Sequence, residues 1–152
     1  MTASLKSLIR TTPFVALDDK YKIVYIKQTK RPQVSVTSGG GSGHEPSFAA
    51  FVGHGPLSGA VAGSIFASPS AEQIQQCLLR YVDNTEGIMV IVMKDTDDAL
   101  HFGMAVEKAR AMGIKVDMSV LGDRDVGGLG EEASLGRCWC RRLLVLWRLR
   151  GE

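Results

Sequence analysis

An α/β fold, built on a mostly parallel, doubly wound sheet with helices on both faces, follows from three features of this sequence. Apolar runs of strand length alternate along the chain with segments of helical periodicity. Residues 87–93, Gly-Ile-Met-Val-Ile-Val-Met, form a continuous apolar run bounded by polar residues, as a strand covered on both faces requires. Finally, a strand-like segment at 33–38 runs straight into a glycine-rich loop at 39–46 with helical spacing beyond it.

Taken in order, Leu5, Leu8 and Ile9 share one face of residues 1–12, which stop before Pro13 and predict a short amphipathic helix. Residues 21–27 alternate and are β-branched and aromatic, 28–32 supply turn chemistry, and 33–38 read as the next strand. Phe48, Phe51 and Val52 mark a short helix opened by Pro46 in its first turn. Residues 60–66 read as a strand. Ser70 and Gln73 have capping-box spacing, with Ile74, Cys77, Leu78, Tyr81 and Val82 on one face of the helix behind them. After the apolar strand, Thr96 or Asp97 caps a helix to Met112, striped by Ala99, Phe102, Val106 and Ala109 and stopped by Gly113 in a left-handed conformation. Residues 114–120 alternate as a last strand.

With 45% hydrophobic and 22% charged residues, the 152-residue chain can bury one ordinary core, and a net charge of +2 demands neither nucleic acid nor an anionic membrane. The three cysteines, Cys77, Cys138 and Cys140, lack CxxC spacing, so neither a zinc site nor a disulfide framework is expected. No run approaches the roughly 20 apolar residues of a membrane span. The expectation is a cytoplasmic protein without a metal site.

Ligands of open α/β sheets bind beyond the carboxyl ends of strands, and two such ends here carry chemically able loops, 39–46 and 94–98. Glycines let backbone amides approach a ligand that a Cβ would block. His44 ends the first loop and Asp98 the second. No Gly-Lys-Ser/Thr follows the glycines, and His44-Glu45-Pro46 breaks the dinucleotide spacing, which disfavours a nucleotide loop. Residue types alone leave two readings open at each position. His44 binds a ligand or caps a tight turn; Asp98 accepts a proton or complements the helix dipole. His54 is read as satisfying local backbone, His101 as solvated and Cys77 as an inert core thiol.

The motif Ser38-Gly-Gly-Gly-Ser-Gly-His-Glu-Pro46 resembles the signature of the dihydroxyacetone kinase family, in its substrate-binding K domain. Matches follow in order at 51–57 (Phe-Val-Gly-His-Gly-Pro-Leu), 63–69 (Gly-Ser-Ile-Phe-Ala-Ser-Pro), 98–103 (Asp-Ala-Leu-His-Phe-Gly) and 120–123 (Val-Leu-Gly-Asp). The resemblance covers about residues 4–126, the N-terminal part of that domain. It implies a cytoplasmic, homodimeric kinase acting on dihydroxyacetone or a related short-chain carbonyl. The donor would be ATP with magnesium on a separate helical domain, or a phosphorylated helical partner subunit; this chain itself would bind no cofactor. It places Gly41, Ser42, Gly43 and His44 against the triose, with Asp98 accepting the proton of the attacking hydroxyl.

The resemblance also implies a distant histidine that holds the substrate carbonyl covalently. This chain ends before it, so a truncated form, inactive alone, is expected. A non-catalytic triose-binding or regulatory module, or an inactive fragment, is the alternative. Where the family has Lys-Asn-Tyr-Thr-Gly-Asp, residues 93–98 read Met-Lys-Asp-Thr-Asp-Asp. The family lysine thus falls on Met93, unless a gap moves it to Lys94, the substrate contact taken here. Repulsion among Asp95, Asp97 and Asp98 is expected to raise the pKa of Asp98. Residues 1–126 are read as the partial K domain and 127–152 as a divergent tail, frame-shifted or disordered. Dense in Arg, Trp and Cys, the tail reads as a basic amphipathic surface, a packed terminal helix or a reading-frame change. A one-base shift over 139–142 can spell the Gly-Val-Ala-Gly that suits the family's turn, which favours the last.

Overall fold

A computed structural model describes residues 2–27, 33–43 and 47–121; the tail expected over 127–152 lies outside the described residues. In chain order come α1 (Thr2–Thr11), β1 (Val15–Asp18), β2 (Ile23–Ile26), β3 (Ser35–Ser42), a 3-10 turn (Ser47–Phe51) and β4 (Gly59–Ile65). Then follow α2 (Ala71–Gln76), widening into a π-helical turn (Cys77–Tyr81), β5 (Ile88–Met93), α3 (Thr96–Ala111) and β6 (Val116–Leu121). The strands form one six-stranded sheet in the order β1-β2-β4-β3-β5-β6. β1, β2 and β4 pair antiparallel, whereas β4, β3, β5 and β6 run parallel.

Side chains alternate across each strand, and this alternation sorts the apolar residues into two cores. On one face Ile23, Val61, Ile88, Val90 and Val92 meet Ile74, Cys77 and Leu78 of the α2 region and Phe102, Ala105, Val106 and Ala109 of α3. On the other, Val24, Ile26, Val36, Ala60 and Ile91 meet Leu5 of α1 and Ala49 and Val52 around the 3-10 turn. Helical segments therefore cover both faces, as the continuous apolar run of β5 requires.

The local signals at α2 and α3 are realised unevenly. Ser70 Oγ accepts from Gln73 N at 3.2 Å and Gln73 Oε1 accepts from Ser70 N at 2.9 Å, a complete capping box. Gly113 stops α3 at φ +84°. The N-cap of α3 is Asp95 rather than Thr96 or Asp97: its Oδ1 accepts from Asp97 N at 3.0 Å.

Two strand boundaries differ from expectation. β1 is a four-residue strand that periodicity does not mark; it forms along the antiparallel edge of β2. β3 does not break into a loop at Gly39 but continues to Ser42, paired in parallel with β4 through a register shift between Gly40 and Ser42. Gly39 serves close approach, not turning: a Cβ there would lie 2.3 Å from Val61 O and 3.1 Å from the Phe102 ring.

Truncating Phe102, 1% exposed between α3 and the sheet, to alanine is predicted to cost about 3–5 kcal/mol by cavity formation. Ser70→Ala, which removes only the cap, should cost about 1 kcal/mol. Urea denaturation of the two variants checks both values and their order.

Candidate functional site

β3 leads into the 3-10 turn on the α1 face, while β5 leads into α3 on the opposite face. These strands are neighbours in the sheet, so their connections diverge and leave a crevice at their carboxyl ends. The β3–β5 ladder runs from Ser35↔Ile88 to Ser38↔Ile91 and stops, whereas the β3–β4 ladder goes on to Ser42↔Ile65. Ser38 Oγ donates to Ile91 O at 2.6 Å and closes the ladder's end. Past that point the β5-facing edge of residues 39–42 pairs with no described strand.

Asp98 reaches into this gap from the first turn of α3 and is 7% exposed. A Cβ on Gly40 would lie 3.1 Å from Asp98 Oδ2 and 2.9 Å from the Phe48 ring, so only glycine fits between them. Burial is the main force raising the Asp98 pKa above its ordinary value; interaction with the Ser68 hydroxyl opposes it, Asp95 adds repulsion, His101 opposes, and Asp97 adds a little more. Acid repulsion is thus present but secondary to desolvation. Asp98 Oδ1 is buried without a hydrogen-bond partner among the described residues. An acceptor in that state costs about 1–3 kcal/mol, so an incoming hydroxyl that donates to it would be favoured.

A third connection, between β4 and α2, completes the surroundings of the glycine run. Ser42 Oγ donates to Gly63 O at 2.8 Å, and Phe66 N donates to Ser42 O at 2.8 Å. A Cβ on Gly41 would stand 3.5 Å from Ala67 N, and one on Gly43, whose φ is +131°, 3.2 Å from the Phe66 ring. Gly40, Gly41 and Ser42 also line a mostly apolar cavity of about 20 Å³ with Ser47, Phe48 and Ala62, room for a water-sized group.

Of the site residues read from sequence, Gly41, Ser42 and Gly43 lie at the end of β3 and the start of its loop. Asp98 touches the same run at Gly40. His44 lies outside the described residues, as do Glu45 and Pro46. Lys94 is exposed just beyond β5, its N–H donating to Leu121 O of β6 at 2.9 Å. Sequence reasoning placed none of Phe48, Phe66 and Ser68 in the site. The 63–69 motif contained the latter two, but nothing in it announced that this turn faces the glycines.

Two histidines differ from expectation. His101 is half-buried, with Nδ1 3.0 Å from Pro69 O, and His54 packs its ring on Phe14 at 5.0 Å between centroids. Cys77 is fully buried, and desolvation pushes its thiol up to about 12, which keeps it unreactive. Among the described residues no group of three or more His, Cys, Asp or Glu could hold a metal ion, and no helix is long and apolar enough to cross a membrane.

The chain is an α/β domain whose buried carboxylate and glycine strand end meet at the switch point of a mixed sheet. Residues 6–138 match the Dak1 domain, and the chain belongs to that family. Dihydroxyacetone kinase 1 of Saccharomyces cerevisiae is 42% identical over 137 residues, covering 90% of this chain and 23% of the relative. The dihydroxyacetone kinase of Citrobacter freundii is 42% identical over 106 residues, 70% of this chain and 19% of the relative. The chain therefore spans less than a quarter of the length of either. The crystal structure of the C. freundii kinase in its native form superposes with a TM-score of 0.72 at 36% identity, over 80% of this chain and 23% of that one. A protein described as a dihydroxyacetone kinase operon co-activator superposes with a TM-score of 0.74 at 30% identity, over 85% and 40%.

A raised folded-state pKa means that ionised Asp98 opposes folding. The stability contributed by its protonated form is fully present below the ordinary value of 3.8 and is lost as pH rises through the raised value. Asp98→Asn, which cannot ionise, is therefore predicted to gain stability relative to the unaltered chain as pH climbs from below 3.8. Urea titrations at stepped pH check this; a pH-independent difference between the two proteins would count against a desolvated carboxylate.

Proposed function

We propose that the crevice binds dihydroxyacetone or a related short keto-triose, and that the chain carries the substrate-binding part of a dihydroxyacetone kinase. The burial of Asp98 against Gly40, with an unpartnered carboxylate oxygen, is the observation that carries this reading. A three-carbon sugar has little apolar surface, so its binding depends on hydrogen bonds inside a crevice that excludes water. Residues 41–43 supply backbone groups, and the His44 imidazole holds a substrate oxygen. Asp98 accepts the proton of the hydroxyl that attacks phosphorus, a role helped by a pKa raised toward the working pH. Lys94 contacts the substrate from the rim.

The C. freundii kinase is known in complex with AMP-PNP and magnesium. Among the described residues no acidic or histidine cluster fits the metal, and the glycine run lacks the Lys-Ser/Thr of a phosphate loop. The donor, ATP with magnesium or a phosphorylated helical partner, is assigned to a separate helical domain or subunit. Residues 1–126 are assigned as a partial K domain and 127–152 as a divergent tail, and the assembly proposed is a cytoplasmic homodimer. A regulatory, non-catalytic triose-binding module is the second reading, favoured by the likeness to the operon co-activator.

Titration calorimetry of the whole chain with dihydroxyacetone should give a saturable heat that His44→Ala weakens about 5- to 100-fold, the worth of a hydrogen bond to a buried polar group. No heat from a chain with a folded circular dichroism spectrum would sink both readings. Given only ATP, magnesium and dihydroxyacetone, the chain is predicted to form no triose phosphate; measurable product would overturn the assignment of the donor to another domain or subunit.

A further inference from the structure

Phe66 has the highest exposure, 81%, among the large apolar side chains described, yet its backbone sits at φ +51°, where a bulky L residue is rarely found. Two of its contacts bear on the glycine run. Its N–H donates to Ser42 O at 2.8 Å. Its ring edge rests on Gly43 so closely that a Cβ on residue 43 would stand 3.2, 3.5 and 3.6 Å from three ring carbons. The turn beneath is closed by reciprocal bonds between Ser64 and Ala67, both 3.1 Å, and anchored at Gly63 O, which accepts from Ser42 Oγ at 2.8 Å and Lys22 Nζ at 3.4 Å. A ring this exposed gains little from burial. Its conformation seats the ring edge on Gly43.

We propose that Phe66 is a positioning residue: its N–H and ring edge clamp the Ser42–Gly43 corner and preset the glycine backbone that receives the ligand. The inference rests on the triose site proposed above and deepens it. Gly43, at φ +131°, has the widest backbone freedom of any residue type, and freedom left in the free protein would have to be given up on binding. Holding the corner beforehand removes that cost.

The test uses Phe66→Ala, Phe66→Gly and Phe66→Tyr in the whole chain, with three readouts: dihydroxyacetone affinity by calorimetry, amide hydrogen exchange at Gly41 and Gly43 without ligand, and melting temperature. The alanine and glycine variants should weaken binding about 5- to 30-fold, the equivalent of one backbone residue's freedom. They should also speed exchange at Gly43 selectively and leave the melting temperature in place, while Phe66→Tyr, which keeps the ring edge, restores both. Unchanged exchange at Gly43 in Phe66→Ala overturns the clamp, and so does faster exchange spread evenly over the sheet with a lower melting temperature. If the unaltered chain binds no dihydroxyacetone, the ligand assignment fails, and selective exchange at Gly43 still decides whether the clamp exists.

Discussion

A central strand with glycine at three consecutive positions, the first two tightly packed, is the constraint on which the rest of the site depends. At Gly39 the backbone presses against Val61 O of β4, and at Gly40 it lies between the Phe48 ring and the Asp98 carboxylate. Protein interiors absorb even one added methyl poorly, so this strand end holds its place only while both residues remain glycine. Their absent side chains allow β3 to follow β4 beyond the point where β5 has turned away.

That divergence converts a sheet rule into local chemistry. Ser38 ties off the ladder on Ile91, and the space beyond admits a carboxylate from the first turn of α3. Asp95 takes the capping duty at that helix, which leaves Asp98 free of it. An acid in a first turn is ordinarily a solvated complement to the helix dipole. Here desolvation dominates its pKa, a combination that is found more often at functional positions than at structural ones.

Much of this was legible in the residues. The run at 87–93, the capping box at Ser70 and the glycine stop at Gly113 are local signals with local causes, and each appears where its chemistry puts it. β1 was not legible, because four residues give no usable period and the strand exists only as a partner of β2. The glycines at 39 and 40 looked like loop because glycine is read as turn chemistry; their use in close strand packing depends on Val61 and Phe48, which are distant in sequence. Phe66 and Ser68 were invisible as neighbours of the site for the same reason. At Asp98 the repulsion expected to shift its pKa is present but outweighed by burial, a property of the fold.

Membership in the Dak1 domain family and the likeness to both a kinase and an operon co-activator set the same scaffold beside two different outputs. The site proposed for this chain holds a small polar molecule at the switch point of that scaffold. Nitrogen-15 amide shifts of the whole chain during titration with dihydroxyacetone test that most directly. Saturable changes concentrated at residues 40–43, the 66–68 turn and Asp98 are predicted. Changes confined to the β1–β2 hairpin or the far ends of α2 and α3, with the glycine run undisturbed, would contradict a ligand site between β3 and β5.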